Sequence, residues 1–205
     1  MILLNRFVFL ILTLSSLLFS CKKEGCTDKD ANNFNEEANK DDGSCTYDPR
    51  VGEEHQGGVV AYVFQKGDEG YIEGEAHGLI TTKIDQAVDV EWGCEGIVIN
   101  STHSELGKGM SNTELIFNNC SETGIAAASS MNFSYNGYSD WFLPSKDELN
   151  KLYENKDAIG GFADATYWSS TEFDKDLAWG QIFSIGSQNQ FSKSNNFRVK
   201  AVRRY

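Results

Sequence analysis

The sequence predicts an α+β domain, and three observations carry that prediction. Val51 to Tyr205 spans about 155 residues, enough for one buried core. Runs rich in β-branched and aromatic residues, punctuated by Gly and Asp, recur toward both ends of this stretch. Between them lie short segments with helical spacing, so strands and helices are segregated rather than alternating.

The elements follow in order. Gln56-Gly57-Gly58 punctuates the entry, and Val59 to Phe64 reads as a largely buried strand. Lys66 to Gly70 is a turn, and Gly78 to Thr82 supplies a second strand. From Ser111 a helical stretch places Leu115, Ile116 and Asn119 at i, i+1 and i+4 and ends near Cys120. The alanine run between Glu122 and Met131 predicts a second short helix. Trp141 to Leu143 is extended, as the chain just ahead of Pro144 usually is. Ser145 followed three residues later by Glu148 is a capping box, and Leu149, Leu152 and Tyr153 form the apolar stripe of a third helix. Gly160-Gly161 stops it. Strands are then expected over Thr166 to Thr171, Ala178 to Phe183 and Phe197 to Arg203, with a turn at Asp174 to Asp176 and a polar loop from Ser184 to Asn196.

Ahead of the domain, Met1 to Ser20 carries Arg6 as its only charge and an apolar run too short to span a bilayer, for which ~20 residues are needed. It fits the h-region of a secretory signal. Its ending, Leu18-Phe19-Ser20-Cys21, resembles a bacterial lipobox, which implies acylation of Cys21 as the new N-terminus. Two or three acyl chains, at ~0.8 kcal/mol per buried CH₂, exceed the single-chain threshold for stable attachment. Residues 1–20 are therefore expected to be a lipoprotein signal peptide and the mature protein a membrane-anchored, exported one. Lys22-Lys23-Glu24 resembles a Bacteroidota surface-export signal, which favours the outer membrane or cell surface.

Acylated Cys21 leaves four cysteines and three possible pairings. Proximity and segment boundaries favour Cys26–Cys45 and Cys94–Cys120, and an oxidising compartment favours disulfides over thiols. No C-x-x-C spacing exists to support a zinc or thioredoxin-like site. Residues 21–50 form an acidic cysteine-loop spacer with too few apolar residues for a core, so a disulfide or a metal must supply its order. Asp28, Asp30 and Asn32 alternate as oxygen ligands do at the start of a calcium loop, and Asp41 and Asp42 could complete a calcium set. As an EF-hand the pattern fails, because Asn39 stands where a bidentate Glu is needed. A disulfide-closed spacer with a solvated acidic surface explains the same residues. The segment resembles a short repeat of exported Bacteroidota proteins, GCTD followed by DDGSC, present here in one copy.

Charge and motifs narrow the function. The balance of 18 Lys and Arg against 30 Asp and Glu gives −12, which excludes general nucleic-acid binding. His55, His77 and His103 lack metal-ligand spacing, and H-E-x-x-H and G-x-S-x-G are absent, so no catalytic residue is assigned. Trp141, Trp168 and Trp179 lie in strands; most such aromatics belong to a core, and any beside the polar loop could stack on a sugar. After Asp176 the chain is purely basic. A strand from Phe197 to Arg204 would put Arg198, Lys200 and Arg204 on one face. With Lys193, they form the candidate grip for an anionic glycan; the competing reading is that these bases pair internally with the acidic excess.

The strings GGVVAYVF, EWGCEG, NGYSDWFLPSKDELNKLY, YWSSTE and RVKAVR resemble the C-terminal domain of the Legionella collagen-like adhesin, over Val51 to Tyr205. That resemblance implies a C-type-lectin-like fold, shared with formylglycine-generating oxidases and phage receptor-binding tips. In the named adhesin the domain binds sulfated glycosaminoglycans; its trimerisation follows from a collagen stalk that this chain lacks. The calcium-dependent sugar motifs of animal C-type lectins are missing. An oxidase reading would make Cys94 and Cys120 a redox pair, whereas their positions suit a structural staple better. The expectation is a non-enzymatic, lipid-anchored adhesion module for a glycan or another surface ligand, or alternatively a structural envelope protein that binds only proteins.

Overall fold

The computed structural model describes residues 22–205, so the expected signal peptide and Cys21 lie outside the described residues. The chain divides into two compact units, one ending at Tyr47 and the other running Asp48–Tyr205.

In the first unit Cys26 and Cys45 form a disulfide, with Cys26 and Ala31 as the buried apolar residues. Hydrogen bonds supply the rest of the order. The Asn33 side chain donates to Ser44 O at 2.7 Å and accepts from Thr46 N at 2.8 Å. The Asn35 N–H reaches Cys26 O at 2.9 Å. A loop of this composition holds its shape by cross-link and backbone satisfaction rather than by a core.

The second unit contains, in chain order, β1 (Glu54–His55), β2 (Gly58–Val63), β3 (Gly78–Thr81), β4 (Ala87–Val90), α1 (Gly109–Asn119), α2 (Ala126–Met131), α3 (Lys146–Glu154), α4 (Lys156–Ile159), β5 (Thr166–Glu172), β6 (Leu177–Ile182), β7 (Gln188–Ser192), β8 (Phe197–Val199) and β9 (Val202–Arg204). One sheet runs β1-β2-β3-β9 and the other β4-β8-β5-β6-β7. Pairing is antiparallel except between β5 and β8, where Tyr167 faces Arg198 in parallel. This is the α+β arrangement expected.

Buried aromatic residues anchor three core clusters among the sheets and helices. Trp92, Trp141 and Trp168 are buried, and each indole N–H has a backbone acceptor: Ser169 O at 2.8 Å, Tyr138 O at 3.1 Å and Val90 O at 3.0 Å. A buried indole would otherwise strand its donor. Leu149 and Leu152 of α3 pack with Val59, Phe142, Tyr167 and Phe183, as the apolar stripe requires. The capping box at the start of α3 is present in both directions. Gly161 sits at φ +75, and a Cβ there would fall 2.0 Å from Lys83 O, so only glycine lets the loop close on that carbonyl.

Three expectations need correction. The second helix starts at Ala126 rather than Glu122, because Gly124 turns at φ +76 and Ile125 is extended. The polar loop contains β7, whose weak strand propensity is overridden by pairing to β6 and by Phe191 packing against the core. The last strand is two strands in different sheets, broken at Lys200 and Ala201, where Ala201 N donates to the Gln86 side chain instead of continuing a ladder.

Candidate functional site

The break between β8 and β9 decides the fate of the basic segment. Lys200 is turned inward: its Nζ lies 2.7 Å from Asp85 Oδ1 and donates to Gly161 O at 2.9 Å. Burial pushes the Lys200 ammonium below its ordinary pKa, opposed by Asp85. Arg198 reaches Oδ2 of the same Asp85 at 2.7 Å. Lys193 is also buried, 2.6 Å from Glu172 Oε1. Arg204 donates to Gly107 O. Arg203, adjacent in sequence, makes a bidentate contact with Asp140 at 2.7 and 3.0 Å. The expected anion grip of Lys193, Arg198, Lys200 and Arg204 on one face is therefore not formed. Burying a cation requires a partner, and Asp85 and Glu172 supply it from distant parts of the chain.

The spacer acids are likewise turned to local work. Asp28 Oδ1 accepts from Asp30 N at 3.0 Å and its Oδ2 from Tyr47 Oη at 2.7 Å. These bonds, the Asp30 N–H first, hold its carboxyl below the usual range. Asp41 and Asp42 cap Gly43 N and Ser44 N at 3.0 and 2.9 Å. Among the described residues no three carboxylates from Asp28, Asp30, Asp41 and Asp42 converge within 4.8 Å. Among the described residues, these acids are therefore not brought together at one point. The histidines are also dispersed: His77 bonds Glu75, and His55 stacks edge-on with Tyr205.

A candidate ligand surface lies on the face of the five-stranded sheet that carries Trp179, beside the start of α3. Along β6, Ala178 and Gly180 face the Trp168 side, while Leu177, Trp179 and Gln181 point the other way. Trp179 stands directly opposite Gln190 of β7, and Gln181 opposite Gln188. Of the four tryptophans, Trp179 is the one only half-buried. Lys146, the first residue of α3, places its Nζ 3.9 Å from the centroid of the Trp179 ring. The backbone of Lys146 is held by Gln188, whose Nε2 donates to Lys146 O at 2.7 Å. Phe173 meets Trp179 edge-on at 6.0 Å and is 52% exposed.

This face combines a half-buried aromatic ring, the exposed amide of Gln190 and an ammonium, whereas Gln181 is buried and bonded to Asn150 and Gly186. An aromatic face suits the apolar side of a sugar ring, the Gln190 amide suits a hydroxyl, and the ammonium suits a carboxylate or sulfate. Trp179 was among the aromatic candidates in the sequence, but Lys146 was missed. Its signal is a cation in the first turn of a helix, where the macrodipole disfavours positive charge.

A model of the Lcl C-terminal domain matches residues 82–203 of this chain. Among solved structures, the crystal structure of a fimbrial protein from Bacteroides ovatus ATCC 8483 is similar at a TM-score of 0.46 and 16% identity. The alignment covers 71% of this chain and 43% of that one, less than half its length. No curated protein matches.

Proposed function

From the premise that this chain belongs to the Lcl C-terminal domain family, we propose that it is a surface adhesion-type module that takes an acidic glycan on the face built around Trp179. One observation carries the reading. Trp92, Trp141 and Trp168 are spent inside the core, whereas Trp179 is kept at the surface with the Lys146 ammonium over its ring. A cation on an exposed ring contributes roughly 0.5–1 kcal/mol by itself and can turn to an anion brought by a stacked sugar. The work of the module is binding rather than catalysis.

A glycan array with wild type, Trp179→Ala and Lys146→Ala tests this. Trp179→Ala should lose glycan binding, and Lys146→Ala should lose acidic glycans selectively together with the salt sensitivity of binding. A blank array, or a Trp179→Ala protein that binds as wild type, would refute the proposal. The proposal also tethers the protein to the envelope through lipid on Cys21; a Cys21→Ser protein that stays membrane-bound to the same extent would remove that part.

A second reading, in which the partner is another envelope protein, draws on one feature. β7 is the outer strand of its sheet, uncharged and free of Pro from Gln188 to Ser192, an edge onto which an extended segment could add.

A further inference from the structure

Among the described residues, Cys94, Cys120 and Glu122 are the one trio of metal-ligating side chains whose donor atoms all lie within 4.8 Å of one another. They come from separate places. Cys94 follows Gly93 in a loop with both residues at positive φ. Cys120 is the C-cap of α1. Glu122 is held toward the sulfurs because Cys94 N donates to its Oε2 at 2.9 Å. Both cysteines are buried, yet Cys120 and Glu122 line an open cleft of about 240 Å³ with Ser121, Thr123 and Asn132.

In the structure the two sulfurs share a bond, so neither donates to a metal. The geometry points to a second state of the same residues: a zinc site with two thiolates and one carboxylate, available only when the disulfide is open. A dithiol or phosphine reductant gives two electrons to the S–S bond and is itself oxidised. Two protons taken from solvent complete the two thiols. Zinc then displaces both thiol protons to solvent and binds the two sulfurs and a Glu122 oxygen, with a water from the cleft in the fourth position. A disulfide oxidant reverses this by taking two electrons from the thiolates, re-forming the bond and expelling the zinc. Disulfide and metal are thus mutually exclusive fasteners for the same join between α1 and the Cys94 loop.

The ligand set selects the metal class. Two thiolates and one carboxylate suit zinc and repel no borderline-soft cation, whereas magnesium and calcium prefer oxygen alone. At Zn–S ≈ 2.3 Å a tetrahedral site needs the sulfurs about 3.8 Å apart. With the two Cα atoms 5.8 Å apart, rotation of the side chains reaches that spacing without moving the backbone elements. The sequence hides this site because 26 residues separate the cysteines and no C-x-x-C marks it.

The test uses the chain with Cys21→Ser, Cys26→Ser and Cys45→Ser, leaving this pair alone. After phosphine reduction without oxygen, zinc chloride is added, excess metal is removed and bound zinc is measured by elemental analysis. One zinc per chain is expected, with none in the oxidised protein and none when Cys94→Ser and Cys120→Ser are added. Glu122→Gln should weaken zinc, read against a chromophoric chelator, by more than the roughly tenfold that losing even a hydrogen-bond partner of a ligand costs. Cobalt in place of zinc should show a thiolate charge-transfer band that vanishes on oxidation. If reduction loosens the fold, zinc must still raise the melting temperature of the reduced chain, since it binds the native join. No zinc on the reduced chain, no rise in melting, or equal zinc without Cys94 and Cys120 would each overturn the inference.

Discussion

Lys193 Nζ rests 2.6 Å from Glu172 Oε1, with neither side chain more than 6% exposed. Each partner also holds the loop that precedes α1. Lys193 donates to Ile97 O at 2.8 Å, and Ile99 N donates to Glu172 at 2.8 Å. The pair joins the end of β5, the residue after β7 and the 97–99 segment into one fixed corner beside Trp92, whose ring lies 4.7 Å from the ammonium.

Glu172→Ala should therefore be far more costly than a surface change. It strands a buried ammonium, which costs about 3–5 kcal/mol. Replacing both partners, Lys193→Met with Glu172→Leu, should recover part of that stability, because no charge is left without a partner while Ile97 O and Ile99 N lose theirs. Urea unfolding of the three proteins checks this. A Glu172→Ala protein within 1 kcal/mol of wild type, on the scale of a surface pair, would show that the pair is not the fastening described.

The Cys94–Cys120 bridge closes a 26-residue interval between the Cys94 loop and the end of α1. Cys94→Ser should lower stability by about 2–4 kcal/mol, chiefly by freeing the unfolded chain. Unfolding of the Cys26→Ser, Cys45→Ser protein, which keeps this bridge alone, should show the same loss on addition of reductant. Identical unfolding midpoints under oxidising and reducing conditions would remove the bridge from the account of stability.

How far the sequence could be read depends on the range of the interaction. The third helix was legible because Pro144, Ser145 and Glu148 act within a few residues, and the structure shows the box they form. The basic stripe was not. The partner of Lys193 lies 21 residues away and that of Arg198 lies 113 residues away, so a period of two in a short strand could not foresee that these charges are neutralised. β7 was hidden for a related reason: Gln188-Asn189-Gln190 has little strand preference of its own and takes its form from the ladder with β6. At the candidate site, Trp179 was visible only as one aromatic among several. Its selection needed the burial of the other tryptophans and the position of Lys146.

In the spacer, the carboxylates of Asp28, Asp41 and Asp42 serve backbone N–H groups. Millimolar calcium should leave the melting of the oxidised spacer unmoved, because binding would require those bonds to be given up before a cage forms. Calorimetry of the full chain with calcium is the direct measurement. Saturable heat that disappears in Asp28→Asn or Asp42→Asn would show that the acids re-aim onto the ion.

Glu148 links α3 to the start of α1. Its Oε2 accepts from Ser145 N at 2.8 Å and its Oε1 from Gly107 N at 3.0 Å. Gly109 makes room for it, since a Cβ there would fall 2.1 Å from Oε2. Burial pushes the carboxyl up from 4.5 to about 7, against the opposing pull of those N–H groups and of Arg204. Between these two values the folded chain holds a proton that the unfolded chain has released. The stability this group adds is thus full below the unfolded pKa and is lost as pH rises toward 7, flattening above it. Glu148→Gln should abolish this slope while keeping a side chain able to complete the capping box. The measurement is urea unfolding of both proteins from pH 4.5 to 8. The stability of wild type relative to Glu148→Gln should fall across that window by on the order of 3 kcal/mol. His77, whose pKa is raised by Glu75, is present in both proteins and cancels in the difference. Parallel curves would mean that Glu148 is ionised in the folded protein throughout, with its backbone donors and Arg204 outweighing its burial.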